Sequence, residues 1–209
     1  MSQEPRYLQR YDDSGRMLHW SVALLFFCAA LSGLALFHPA LYFFSALFGG
    51  GPWTRILHPY IGVLMALSFA VIAARLWRLN LIEQNDRDWL AHVGDVLKGD
   101  KDKTPPVGRY NGGQKVLFWL MVACLAVLFV TGFVFWRPWF APYFPITLIR
   151  IAVLLHAMAA TLLILGIIVH IYAAIWVKGT LRAMTRGSVS EAWAKQNHPL
   201  WHREMTQGK

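Results

Sequence analysis

Between Ile151 and Val177 the chain reads IAVLLHAMAATLLILGIIVHIYAAIWV, without a charged residue. Crossing a bilayer takes ~20 apolar residues. In lipid such a run must be helical, because no water is present to satisfy its backbone. Two histidines lie within it, His156 and His170, fourteen positions apart. Fourteen residues of α-helix rise about 21 Å and return to within about 40° of the starting direction. The two imidazoles therefore share one helix face at opposite membrane levels. Ionisable side chains inside a spanning helix are costly and as a rule functional, so each histidine calls for a partner.

Three more apolar runs precede this one, and the four spans fall at about 18–37, 56–75, 116–136 and 151–177. They predict an all-α membrane protein, a four-helix transmembrane bundle forming a single domain over 1–209. The chain is 56% hydrophobic with a mean hydropathy of +0.41, well above an ordinary soluble domain. Its net charge of +9 sits in segments flanking the apolar runs, as expected beside anionic lipid rather than nucleic acid. The polar N-terminus shows no cleavage pattern after a short apolar core, so no removable signal peptide is expected.

Glycines and prolines around GGGP mark a loop between the first two spans. Pro59 is expected at the very start of the second span, where a missing N–H costs nothing. The stretch from Leu79 to Lys115 is polar, with a short surface helix expected over Asp86–Lys98, followed by KGDKDKTPP and GRYNGGQK. An aromatic, proline-rich connector, RPWFAPYFP, suits the headgroup level. The tail is basic, with a helical pattern over Ser190–Lys195. No internal repeat is evident.

Orientation follows from Lys and Arg in the loops. Arg6, Arg10 and Arg16 precede the first span, and six basic residues follow the last. The long middle loop is also rich in them, whereas the short connectors hold only Arg55, Arg137 and Arg150. Both termini and the middle loop are thus expected in the cytoplasm. His58 and His156 then share the outer level, and His19 and His170 the inner one.

Two histidines from two helices at one level are what bis-imidazole haem iron requires, and bundle cores commonly hold such groups. Gly33, Gly62, Gly132 and the Ala157, Ala159 and Ala160 cluster leave room for a flat macrocycle. Arg55 and Arg150 suit propionates at the outer level and Arg16 at the inner; the same arginines serve equally as interfacial anchors. A lone membrane histidine often only hydrogen-bonds a neighbouring helix, but four that fall into two depth-matched pairs point further. Zinc would want a Cys, Asp or Glu as third ligand, and neither level supplies one. Without a CxxCH motif, covalent c-type haem is excluded, and Cys28 and Cys124 read as small apolar filler. His38 reads as a helix-end residue, and His92, His198 and His202 as solvated.

At these residues the chain resembles the cytochrome b (gamma) subunits of membrane-bound respiratory formate dehydrogenases. The resemblance rests on LHW at His19, RILHP at His58, VGRYNGGQKVLFW, TGFVFWRPWFAPYFP, LLHA at His156, HIYAAIWVKG at His170 and WAKQNHPLWHRE in the tail. It covers roughly Leu18 to Glu204. It implies two b-type haems with axial ligands His19, His58, His156 and His170. It also implies a site for menaquinone or ubiquinone beside the inner haem, bordered by His170, with Asn111 and Gln114 as polar contacts. The implied partners are an iron–sulfur beta subunit, a molybdenum or tungsten catalytic alpha subunit and membrane lipid, in a higher oligomer of the heterotrimer within the bacterial inner membrane. Formate chemistry itself is not expected here, because the chain has no molybdenum-binding or iron–sulfur cysteine set. A hydrogenase- or thiosulfate-reductase-type cytochrome b shares the same general pattern. A proton transporter would want Asp or Glu in its spans, and there are none; a haem-free membrane anchor is the remaining alternative.

Overall fold

A computed structural model describes residues 6–98, 104–137 and 139–207. Part of the KGDKDKTPP loop, residues 99–103, and Pro138 of the aromatic connector lie outside the described residues. The chain is mostly helical. Four helices are long and apolar enough to cross a membrane: α1 (Asp13–Phe37), α2 (Gly51–Leu76), α5 (Gly112–Phe135) and α6 (Ile146–Trp176). Each begins earlier than its apolar run, and at α1 a side-chain cap supports the added polar turn. Asp12 accepts from the Gly15 N–H at 3.0 Å and from the Ser14 hydroxyl at 2.8 Å, which starts α1 and holds its carboxyl below the usual range.

The glycine-rich connector is more ordered than expected. Residues Pro39–Phe48 form a 3-10 helix, begun by His38, whose Nδ1 accepts from the Ala40 N–H. Gly49 and Gly50, at φ +83° and +93°, then turn the chain directly into α2. Pro59 consequently lies well inside α2 rather than at its start. It cannot donate to the Arg55 carbonyl one turn back.

The chain divides into two compact units. One comprises residues 17–74 and 120–169, the central parts of the four long helices. Its core joins Phe26 and Ala29 of α1, Met65 and Phe69 of α2, Cys124 and Leu125 of α5 and Leu163 of α6. The buried positions of α1 are Phe26, Ala29, Ser32 and Ala35, one stripe at a spacing of three; those of α6 are Ala152, Ala159, Leu163 and Gly166. Small residues there let helix backbones approach, which drives association in lipid, where burial of apolar area does not. Large side chains such as Leu24, Leu64, Leu154 and Val169 point outward, as a hydrocarbon surround requires.

The other unit comprises residues 1–16, 75–119 and 170–209. The expected surface helix is two, α3 (Gln84–Ala91) and α4 (Val93–Lys98), broken at His92. After α6 come α7 (Thr180–Arg186), α8 (Glu191–Asn197) and α9 (Pro199–Gln207). The Ser190 hydroxyl caps α8 by accepting from the Trp193 N–H. The fold is not purely helical: β1 (Tyr7–Gln9) pairs antiparallel with β2 (Ser188–Ser190), Leu8 opposite Val189. Leu8, Val189, Ala194 and Trp201 form this unit's core. Alternation over three residues is too short a signal to read as a strand; the partner strand supplies the stability.

Candidate functional site

Four histidines are the candidate ligands, and all four are half-buried. His58 on α2 and His156 on α6 come together. Their ring centroids are 6.3 Å apart with planes inclined at 70°. His19 stands on α1 beside Trp20, ring centroids 5.3 Å apart. His170 lies on the last two turns of α6. These two belong to different compact units.

The chemistry at the His58–His156 pair is set by two hydroxyls. Ser32 Oγ donates to the Cys28 carbonyl at 2.7 Å, one turn back on α1. Its oxygen is then free to accept from His58 Nδ1–H, at 2.9 Å. Thr131 repeats the arrangement on α5, donating to the Val127 carbonyl at 2.6 Å and accepting from His156 Nδ1–H at 3.0 Å. A neutral imidazole that donates through Nδ1 keeps a lone pair on Nε2, the form a metal binds. Such hydrogen bonds are how proteins orient ligating histidines.

Glycines complete the setting. A Cβ on Gly33 would meet His58 Cε1 at 3.1 Å, and one on Gly132 would meet His156 Cε1 at 3.6 Å. Gly62, one turn along α2 from His58, faces open space. Phe135 packs edge-on against His156, centroids 5.1 Å apart. An apolar cleft of about 290 Å³ on α2 and α5, lined by Ala70, Ala73 and Ala126, carries no polar side chain and lies apart from this chemistry.

These residues fit haem. Imidazole–metal bonds are about 2.0 Å and a ring centre lies roughly 1 Å behind its nitrogen, so two imidazoles sharing one metal stand about 6 Å apart. Among the described residues no third His, Cys, Asp or Glu joins the pair. A two-imidazole donor set with open space alongside matches a macrocycle that supplies its own equatorial nitrogens.

Ser32 and Thr131 were not read from the sequence as site residues, yet a signal exists. Each is a hydroxyl followed by glycine, 26 and 25 positions before its histidine. The helix pairs α1–α2 and α5–α6 thus use one arrangement twice, although no repeat stood out in the sequence.

The three candidate arginines differ. Arg55 and Arg150 are exposed. Arg16 is committed to other partners, with Nη1 donating to the Thr185 carbonyl and Nη2 paired with Asp13, both at 2.7 Å.

Asn111 and Gln114 cap α5 reciprocally. Asn111 Oδ1 accepts from the Gln114 N–H at 2.9 Å, and Gln114 Oε1 accepts from the Asn111 N–H at 3.0 Å. Both side-chain oxygens are thereby used, and the amide N–H groups are what the turn has to offer a carbonyl. Gly112 and Gly113 allow this turn to lie against α3: a Cβ on Gly112 would meet the Asp86 carbonyl at 2.6 Å. Next to the turn, Lys115 pairs with Asp86 at 2.7 Å, both side chains buried, and also donates to the Leu81 carbonyl. His198, read as solvated, is 4% exposed. It lies beneath Trp193 and Trp201 and hydrogen-bonds the Gly108 carbonyl. His202 is also largely covered and pairs with Glu191.

Comparison with known proteins supports the same identification. The family model described as prokaryotic cytochrome b561 matches residues 10–187. The nitrate-inducible formate dehydrogenase cytochrome b556(Fdn) subunit of Escherichia coli (strain K12) is 42% identical over 190 residues, 91% of this chain and 88% of that protein. The formate dehydrogenase cytochrome b556(fdo) subunit of the same organism is 44% identical over 196 residues, 94% and 92%. The formate dehydrogenase cytochrome b556 subunit of Haemophilus influenzae is 40% identical over 200 residues, 96% and 84%. A match of this extent to cytochromes b implies haem b and an electron-carrying role. With four membrane-length helices and a pair of adjacent, hydroxyl-held imidazoles, the chain belongs to the prokaryotic cytochrome b561 family.

Proposed function

We propose that this chain is the dihaem cytochrome b subunit of a membrane-bound formate dehydrogenase, carrying electrons across the bacterial inner membrane to menaquinone or ubiquinone. The observation that carries the reading is the His58–His156 pair, 6.3 Å between centroids, each ring held through Nδ1 by a helix hydroxyl. The similarity of 40–44% to formate dehydrogenase cytochromes b over nearly the whole chain supports the choice of complex. The partners are then the iron–sulfur and the molybdenum or tungsten subunits, in an oligomer of heterotrimers.

Lys and Arg distribution favours cytoplasmic termini and a cytoplasmic middle loop. His58 and His156 then serve near the outer face, with Arg55 and Arg150 at propionate level. On the same depth argument His19 and His170 are the ligands of a second haem, and Arg16, already tied to Asp13, is the weaker propionate candidate. Haem b, when bound, supplies a one-electron centre at each level. The chain's own contribution is to present Nε2 of each imidazole, to exclude water with apolar helix faces and to receive quinone at the cytoplasmic side. There the Asn111 and Gln114 amide N–H groups hydrogen-bond the quinone carbonyls, next to His170. All of 1–209 serves this one membrane function.

The test is an affinity-tagged chain purified from membranes of cells grown on formate. Co-purification of an iron–sulfur and a molybdenum or tungsten subunit is expected, with the cytochrome spectrum reduced by added formate. Reduction by hydrogen instead would assign the chain to a hydrogenase.

A further inference from the structure

The turn at Asn111–Gln114 follows a four-residue segment, 107–110, that has no regular structure of its own. That segment is nevertheless fixed at every residue by two distant parts of the chain. The Leu200 N–H donates to the Val107 carbonyl at 3.1 Å. His198 Nδ1–H donates to the Gly108 carbonyl at 2.8 Å. Arg10 Nη2 donates to the Arg109 carbonyl at 2.6 Å, and Arg109 Nη2 returns a bond to the Arg10 carbonyl. Tyr11 and Tyr110 join through their hydroxyls at 3.1 Å.

Arg10 is the unusual member. It is 4% exposed, and among the described residues no carboxylate pairs with it. Its guanidinium lies over the rings of Trp201, at 4.7 Å, and Trp193, at 5.3 Å, and its Nη1 finds no hydrogen-bond acceptor. A buried cation without a counter-charge is expensive, and cation–π contacts offset only part of that cost. His198 adds one acceptor. Because its Nδ1–H is given to Gly108, Nε2 carries the lone pair that faces Arg10 Nη2, at 3.4 Å. Gly187, at φ +77°, brings the N-terminal strand close enough to close the clamp, its carbonyl accepting from both the Arg10 and Tyr11 N–H groups. A structural tie between two chain ends could be apolar. This one spends a buried charge to hold the four residues that lead into the donor turn.

We propose that His198 and Arg10 are positioning residues for quinone: through the backbone of residues 107–110 they hold the Asn111–Gln114 turn in register, which makes the C-terminal tail a working part of the quinone site. The proposal rests on the reading of that turn as quinone-binding. His198 touches no substrate; it acts through Gly108 and Arg10.

The experiment uses the intact complex, reduced with stoichiometric dithionite and reoxidised by menadione over a concentration series. Half-saturating menadione and maximal rate are read separately, with haem per chain as the control. Both Asn111→Ala and His198→Ala are expected to raise the half-saturating concentration about tenfold at nearly unchanged maximal rate, the signature of lost binding. His198→Gln keeps a donor for Gly108 and an acceptor for Arg10, and is expected to restore it. Should His198→Ala fail to assemble, Arg10→Lys carries the test with the same expected rise. Unchanged half-saturation in the clamp variants, beside a rise in Asn111→Ala, overturns the positioning role alone. Unchanged half-saturation in Asn111→Ala overturns the quinone reading of the turn and the proposal with it.

Discussion

The imidazoles of His58 and His156, nearly a hundred positions apart in sequence, stand 6.3 Å apart, centre to centre, and give their Nδ1–H groups to hydroxyls on a third and a fourth helix. Four helices thus meet at one pair of rings. Each hydroxyl is itself fixed, because its own proton goes to the carbonyl one turn back. The chain of donors therefore runs in one direction and leaves the lone pair on Nε2, the nitrogen that the proposed haem would use.

Ser32→Ala and Thr131→Val remove the acceptor without adding bulk. Loss of such an outer partner costs about 10–100-fold in metal affinity. Faster haem loss to apomyoglobin is expected from both variants, whereas Thr131→Ser should match the parent. Equal haem retention in all three would show that the hydroxyls only bend their helices.

The two glycines beside the rings predict an asymmetry. A methyl group on Gly33 would stand 3.1 Å from His58 Cε1, while on Gly132 it would make an ordinary contact at 3.6 Å with His156. Gly33→Ala must push the ring aside, an overpacking that costs about 1–3 kcal/mol. An altered low-spin haem signal in electron paramagnetic resonance is expected from Gly33→Ala and not from Gly132→Ala.

The Lys115–Asp86 pair lies with 8% and 5% of its side chains exposed. Removing one partner of a buried pair strands a charge, at roughly 3–5 kcal/mol, whereas replacing both with apolar groups is often neutral. Lys115→Met and Asp86→Leu should each lower the melting temperature in detergent, and the double variant should recover most of the loss. Additive losses would contradict the pairing.

His198 gives the tail a pH dependence. Burial, then the Arg10 cation, lowers its pKa from 6.5 to about 4. The folded state holds the neutral ring and the unfolded tail binds the proton more readily. The stabilisation is therefore complete above about pH 6.5 and is lost as pH falls through about 4. At 1.36 kcal/mol per pKa unit it amounts to about 3 kcal/mol. Tryptophan fluorescence from Trp193 and Trp201 should report tail release on acidification, and His198→Gln should flatten that transition. Identical acid profiles would place the titrating group elsewhere.

The four spans were legible because lipid imposes a length and an apolarity that composition alone reveals. The level shared by His58 and His156 was legible too, since helical rise converts sequence position into depth. Ser32 and Thr131 were not, because a hydroxyl in a spanning helix ordinarily bonds its own backbone, and only the facing imidazole gives it a further role. The unit of residues 1–16, 75–119 and 170–209 was least legible. Arg10, Asp86, Lys115 and His198 are polar residues in polar stretches, and their burial depends on partners up to 188 positions away. A charge pattern cannot show that Arg10 lies among aromatic rings.

The most direct test of the central claim is haem per chain in purified protein, by pyridine haemochromogen and the dithionite-reduced minus oxidised spectrum, for the parent and for His58→Ala. Two b haems are expected in the parent and one in the variant. A flat spectrum from folded, haem-sufficient parent protein, or two haems retained in His58→Ala, would contradict that claim.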